Sequence, residues 1–184
     1  FRGRIEVDGQ EITGWASHKI ARSGIAYLPQ TDNVFTNLTV TENLRLGGYT
    51  VDDKLYRARL GRVFQVFPQL SAYANTKAHN LSGGERQMLA MALALIREPG
   101  VMMFDEPTAN LAPRIATQVL NLISSLAKEI GLTILLAEQN AKRALEIGDV
   151  AYLLVSGKNA FEGTARELLE HRELGRLYLG VRAA

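Results

Sequence analysis

Apolar and polar positions change their period several times along the chain, and each change marks an element. Arg4-Ile5-Glu6-Val7 alternates up to Asp8-Gly9, the pattern of a strand entering a tight hairpin, with Ile12 on the return. Residues 17–23 suit a short helix ended by Gly24, and Ile25-Ala26-Tyr27-Leu28 reads as a buried strand stopped by Pro29. Thr39 and Glu42 have capping-box spacing, so a helix is expected from Val40 to the Gly47-Gly48 pair. Leu55, Leu60, Val63, Phe64 and Phe67 follow at roughly helical spacing, with Pro68 as the stop.

After Asn80 the pattern becomes more apolar. Met88, Leu89, Met91, Ala92, Leu95 and Ile96 predict a helix apolar on most of its circumference, hence well buried. The uninterrupted run Val101-Met102-Met103-Phe104 predicts a strand covered on both faces. Residues 115–128 predict a long helix with Val119, Leu120, Leu122, Ile123 and Leu126 inward and Gly131 as its cap. A buried strand over 133–137, a helix over 140–147 and a strand over 150–155 come next. Ser156-Gly157-Lys158 then turns into a return strand at Ala160-Phe161-Glu162. Thr164 and Glu167 form another capping box, opening a helix that Leu168, Leu169, Leu174, Leu177 and Leu179 continue. Strands alternating with helices through short loops predict an α/β fold with a parallel sheet. The mostly helical segment from about residue 39 to 80 breaks that rhythm and reads as an inserted lobe. With the helix that follows it, the expected organisation is a single domain over 1–184, a helical subdomain at about 39–98 and a C-terminal helical tail at about 164–184.

Composition narrows the picture. The 184 residues are 47% apolar and 22% charged, as in an ordinary globular protein, which excludes wholesale disorder and fibrous structure. There is no cysteine, so disulfides, thiolate metal sites and cysteine nucleophiles are excluded. Lys and Arg exceed Asp and Glu by 21 to 19, a net +2, and no basic block concentrates it, so no nucleic-acid partner is expected. The longest apolar run, residues 88–96, falls short of the roughly 20 residues of a membrane helix. The N-terminus has no secretory-signal pattern, and the first residue is Phe1, so the chain is read as part of a longer protein.

Two runs carry chemistry. In Leu81-Ser82-Gly83-Gly84-Glu85-Arg86-Gln87, Ser82 and Glu85 have capping-box spacing, but a cap leaves Gly83-Gly84 unexplained. Glycines in a first turn cost on the order of 1 kcal/mol each relative to alanine. They suit a backbone that something must approach closely, and bare N–H groups at a helix N-terminus attract phosphate. Downstream, Asp105-Glu106 ends the apolar run 101–104, at the carboxyl end of a parallel strand, where doubly wound folds form their ligand crevice. Magnesium needs oxygen ligands and keeps much of its water, a role that fits Asp105. Glu106 can orient and polarise a water attacking a terminal phosphate.

The first run resembles the signature motif of ATP-binding-cassette (ABC) ATPases, and the second resembles their Walker B strand with its catalytic glutamate. Tyr27-Leu28-Pro29-Gln30, Asn37-Leu38-Thr39-Val40-Thr41-Glu42-Asn43-Leu44, Leu111-Ala112-Pro113, Ala137-Glu138-Gln139-Asn140-Ala141 and Gly175-Arg176-Leu177-Tyr178-Leu179-Gly180 are similar to the ATPases of branched-chain amino acid importers. The resemblance covers residues 1–180 and implies a P-loop NTPase-like core with ATP and Mg2+ as cofactors. It implies catalytic roles for Glu106, Gln139 and Gln30. Ser82, Gly83, Gly84, Glu85 and Gln87 would face nucleotide, and Asp105 and Gln30 the metal. Gln139 stands where most members carry a histidine; glutamine donates a hydrogen bond but cannot become cationic. Ala112 stands where many carry an aspartate. His18, His79 and His171 fall at no matching position.

No Gly-x-x-x-x-Gly-Lys-Ser/Thr run occurs in the 184 residues; the single Gly-Lys pair, Gly157-Lys158, sits in the hairpin turn. The resemblance puts the phosphate-binding loop, its strand and its helix upstream of Phe1, and the chain alone is expected to bind ATP poorly and to be inactive. It further implies a second ATPase subunit, transmembrane permease subunits and, indirectly, a substrate-binding protein, at the cytoplasmic face of a prokaryotic membrane. Two other readings stand beside it. One is a non-catalytic dimerisation and coupling module that completes a partner's ATP site. The other is a DNA-maintenance ATPase, which would need a long coiled coil between Gln30 and the signature where only residues 31–80 intervene.

Overall fold

Turn chemistry sets the first element. In the computed structural model, which describes residues 3–31 and 33–171, β1 (Glu6–Val7) and β2 (Gln10–Glu11) pair antiparallel. Asp8 and Gly9 turn them with positive φ at both central positions, the geometry that matches strand twist in a two-residue hairpin. After α1 (Ser17–Arg22) and Gly24 at φ 88°, β3 (Ile25–Leu28) enters the core.

The helical segment follows as α2 (Val40–Gly47), α3 (Asp53–Val66) and α4 (Pro68–Ala72). The Thr39–Glu42 capping box forms in full, and Pro68 ends α3 and also starts α4 as its first residue. Asn43 is the one fully buried polar side chain among the described residues. Its Nδ2 donates to the Phe35 and Thr39 carbonyls at 2.9 Å and its Oδ1 accepts from the Phe35 N–H at 2.8 Å, so the loop before α2 is fastened from inside. α5 (Gly83–Leu95) runs back toward the sheet, its buried Leu89, Met91, Ala92 and Leu95 matching the apolar run.

β4 (Val101–Asp105), α6 (Pro113–Ile130) and β5 (Thr133–Ala137) complete a parallel sheet of order β3-β4-β5, in register Leu28↔Phe104↔Leu136. Gly131 caps α6 in the left-handed region at φ 76°, as the sequence predicts. α7 (Ala141–Ile147) leads to the β6 (Val150–Val155) and β7 (Lys158–Thr164) hairpin, turned by Ser156 and Gly157, both at positive φ. α8 (Ala165–Glu170) starts with the expected Thr164–Glu167 capping box. The continuation of that helix through Leu174, Leu177 and Leu179 lies outside the described residues.

One sheet face, carrying Leu28, Met102, Phe104, Ile134 and Leu136, packs into the main core with Leu89, Val119, Leu120 and Ile123. The opposite face carries Tyr27, Met103 and Leu135 at one register level, and Tyr27 and Leu135 are 59% and 57% exposed. The run 101–104 was expected to be covered on both faces; on this second face Ile25 is buried, but the covering stops short of Tyr27 and Leu135. Among the described residues β5 has a hydrogen-bonded neighbour on one edge only, and β6 exposes Val150, Tyr152 and Leu154. No helix among the described residues is long and apolar enough to cross a membrane.

Candidate functional site

The carboxyl ends of β3, β4 and β5 lie side by side, so the residues just beyond them meet. Glu106 follows β4 at φ 46°, a left-handed conformation that costs a non-glycine residue about 1 kcal/mol or more. Its N–H donates to the Ala137 carbonyl at the end of β5 (2.9 Å), which holds that turn. Gln30, beyond β3, donates from Nε2 to Glu106 Oε2 at 3.0 Å. Gln139, beyond β5, donates from Nε2 to Glu106 Oε1 at 2.8 Å. Each carboxylate oxygen is thus aimed by one amide, and the three residues read from sequence as catalytic converge. They border an open, polar cleft of about 430 Å³ that Thr108, Asn110 and Arg143 also line.

Asp105, the last residue of β4, accepts a hydrogen bond at Oδ2 from the Tyr27 hydroxyl at 3.0 Å. That bond pushes the tyrosine pKa above its ordinary value. Among the described residues no three His, Cys, Asp or Glu side chains group to hold a metal ion. Mg2+ needs no such cage: it binds through one or two carboxylates plus water and substrate phosphates. The oxygen donor set of Asp105, with the Gln30 amide nearby on Glu106, fits that ion.

The signature run opens α5. Ser82 Oγ accepts from the Glu85 N–H at 3.3 Å and Glu85 Oε2 accepts from the Ser82 N–H at 2.7 Å, so the capping box is complete. The Ser82 backbone N–H, then the Ser82 side chain, hold the Glu85 carboxyl below the usual carboxylate range, helped by a Tyr73 hydrogen bond. The glycines have a second explanation that the sequence did not offer. A Cβ on Gly84 would lie 2.6 Å from Ile115 Cγ2, and one on Gly83 would lie 2.8 Å from Leu111 Cδ2. The close approach is therefore made by the chain itself, where α6 and the loop before it press on the first turn of α5. Gly84→Ala is expected to cost about 1–3 kcal/mol by overpacking, measured as a lowered melting temperature, and Ile115→Ala in the same chain should recover part of the loss.

Gln87, one turn further, points inward. Its Nε2 donates to the Pro107 carbonyl at 2.8 Å and its Oε1 accepts from Asn33 Nδ2 at 2.9 Å. Beside it a smaller cleft of about 260 Å³ lies between the Gln30 loop and Gly83, closed by Asn110 and Leu111. Ala112 is the N-cap of α6.

Sequence reasoning missed three contributors. Tyr27 lies on the same sheet face as Asp105 by two-residue alternation and strand register, but register is set by tertiary pairing. Glu138 accepts from the Thr108 N–H and hydroxyl at 3.0 and 2.7 Å, tying the two loops beside Glu106. Asn33 has no signal of its own in a polar loop.

A parallel α/β core with paired carboxylates at a central strand end and a glycine-first helix beside them defines a P-loop NTPase-like fold. Residues 1–109 match the family described as ABC transporter, and the chain belongs to that family. It is 54% identical to the probable branched-chain amino acid transport ATP-binding protein LivF of Archaeoglobus fulgidus, over 97% of the chain and 76% of that protein. It is 39% identical to the high-affinity branched-chain amino acid transport ATP-binding protein BraG of Pseudomonas aeruginosa, at the same coverages of 97% and 76%. The lipopolysaccharide export system ATP-binding protein LptB of Escherichia coli is 31% identical, over 97% of the chain and 74% of that protein. Among solved structures, the ADP conformation of MJ1267, an ATP-binding cassette of an ABC transporter, shares the fold with a TM-score of 0.83. The match has 24% identity and covers 98% of this chain and 78% of that one. The chain is accordingly an ABC ATP-binding subunit.

Proposed function

We propose that the chain forms the greater part of the ATP-hydrolysing subunit of an importer for branched-chain amino acids. The observation that carries the reading is the grip of Gln30 and Gln139 on the two oxygens of Glu106. With both oxygens fixed, Glu106 polarises the attacking water. Gln30 links that carboxylate to the metal side of the site, and Gln139 supplies a neutral donor where a histidine is common. Asp105, steadied by Tyr27, would hold Mg2+, which would supply positive charge to the phosphates of the nucleotide. Gly83 and Gly84 offer the N-terminal N–H groups of α5, and Ser82 its hydroxyl, to a nucleotide gripped by a second ATPase subunit. Glu85 acts there by capping the helix. A purely non-catalytic module would give the two amides on Glu106 no purpose.

The uncovered face at Tyr27, Met103 and Leu135 and the open edge of β5 support an upstream strand and phosphate-loop helix that complete the sheet. The same reading makes 39–98 the helical subdomain and 164–184 a helical tail of one nucleotide-binding domain. A groove of about 540 Å³ between β3, α2 and α5 is lined by Pro29, Asn33, Phe35, Leu46, Tyr49 and Leu93. Phe35 and Tyr49 are 58% and 72% exposed. An apolar segment of a permease subunit seated there would touch the loop that carries Gln30, at the cytoplasmic face of a prokaryotic membrane. The names of LivF and BraG favour branched-chain amino acids over the export substrate of LptB, at 54% and 39% against 31% identity.

The test compares two chains by ATP titration. The 184-residue chain alone is expected to bind ATP weakly, and the full-length protein with its upstream segment to bind it tightly and release phosphate with its permease. Micromolar affinity in the 184-residue chain would contradict the division of the site.

A further inference from the structure

Gln87 belongs to the signature run, yet its amide is turned away from the exposed start of α5 and spent on two other segments. Pro107 offers a carbonyl only, which can accept but not donate, so the Gln87 amide must face it with Nε2. That orientation leaves Oε1 for Asn33 Nδ2, and Asn33 Nδ2 in turn reaches the Pro29 carbonyl at 3.5 Å, the outer limit of such a bond. The two ends of this amide chain therefore terminate on backbone carbonyls directly beside acting side chains: Pro107 follows Glu106, and Pro29 precedes Gln30. Glu106 and Gln30 are themselves joined at 3.0 Å, so the network closes on itself.

We propose that Gln87 and Asn33 are positioning residues that transmit the placement of the signature end of α5 to Glu106 and Gln30 of the same chain. α5 is one continuous helix from Gly83, and its first turn lies so near Leu111 and Ile115 that a Cβ on Gly83 or Gly84 would meet them. A shift of that turn moves Gln87 with the helix, and its two hydrogen bonds carry the shift to both segments. Engagement of the signature by a nucleotide held on a partner subunit thus sets the geometry of this chain's own hydrolytic carboxylate, and Gln87 does so without touching the nucleotide. The inference rests on the function proposed above.

The test uses the full-length protein with its partner subunits and measures kcat and KM for ATP. Gln87→Met keeps length and packing but breaks both hydrogen bonds. It is expected to lower kcat about 10- to 100-fold, the scale of a misplaced catalytic group, while KM for ATP stays within about twofold. Asn33→Ala, whose thermal melting should match that of the unsubstituted protein, should lower kcat in the same sense and by less, again with KM unchanged. The double variant should be no worse than Gln87→Met, because both residues serve one path. A rise in KM with kcat preserved would make Gln87 a nucleotide contact and overturn the proposal. Additive losses in the double variant, or an unchanged kcat in both single variants, would overturn it as well. Failure of the underlying reading is separate: the unsubstituted protein would then release no phosphate from MgATP.

Discussion

Glu106→Gln is expected to lower ATP turnover of the full-length protein by about 10²- to 10⁴-fold, the range of a lost general base, and to leave ATP binding intact. The substitution keeps the shape of the side chain and removes only its charge and proton affinity. The surroundings tolerate it: Oε1 and Oε2 of Glu106 face the Gln139 and Gln30 amides, and either amide can rotate to present its oxygen to the new NH2 group. The start of α5, proposed to meet nucleotide, makes no hydrogen bond to the Glu106 carboxylate among the described residues. Phosphate release and equilibrium ATP binding, measured on the same preparation, separate the two effects. Turnover that survived the change would remove Glu106 from the chemistry.

Asp105→Asn should be comparably damaging for a different reason. Asparagine keeps an oxygen for the Tyr27 hydroxyl at the end of β4, so the strand is expected to stay in place. What would be lost is the negative charge by which Asp105 is proposed to hold Mg2+. Turnover is expected to fall on the order of 10²-fold or more, as several kcal/mol of charge stabilisation is withdrawn. The Mg2+ concentration for half-maximal rate should rise at least about tenfold, the scale of a damaged metal shell. The magnesium titration distinguishes the two carboxylates, because Glu106→Gln should leave that midpoint where it is. Loss of activity with an unchanged magnesium midpoint would assign Asp105 a purely structural place.

Much of this architecture is legible in the amino-acid pattern because its signals are local. Capping boxes at Thr39, Ser82 and Thr164 need only a four-residue spacing, and all three form. The Asp8-Gly9 and Ser156-Gly157 turns follow from residues that accept positive φ, and Gly131 caps α6 for the same reason. The convergence of Gln30, Glu106 and Gln139 is legible through the strand-end rule together with the family resemblance. What is not legible depends on contacts between distant segments. Tyr27 reaches Asp105 only because β3 and β4 pair in one particular register. Gly83 and Gly84 read as room for phosphate, but nothing local tells that Leu111 and Ile115 occupy the space their missing side chains leave. Gln87 reads as one more residue of the signature, and only the fold turns its amide toward Pro107. The strand over 101–104 reads as covered on both sides, while among the described residues the face that carries Tyr27 and Leu135 is covered only in part.

The Glu106 site is proposed to power inward movement of branched-chain amino acids. The most direct measurement is uptake of radiolabelled leucine into proteoliposomes containing the full-length protein, its permease subunits and its substrate-binding protein, with MgATP on the side of the ATPase. Leucine is expected to accumulate on that side, with the accumulation abolished by Glu106→Gln and matched by phosphate release. Phosphate release with no leucine movement, or leucine accumulation that persists with Glu106→Gln, would contradict it.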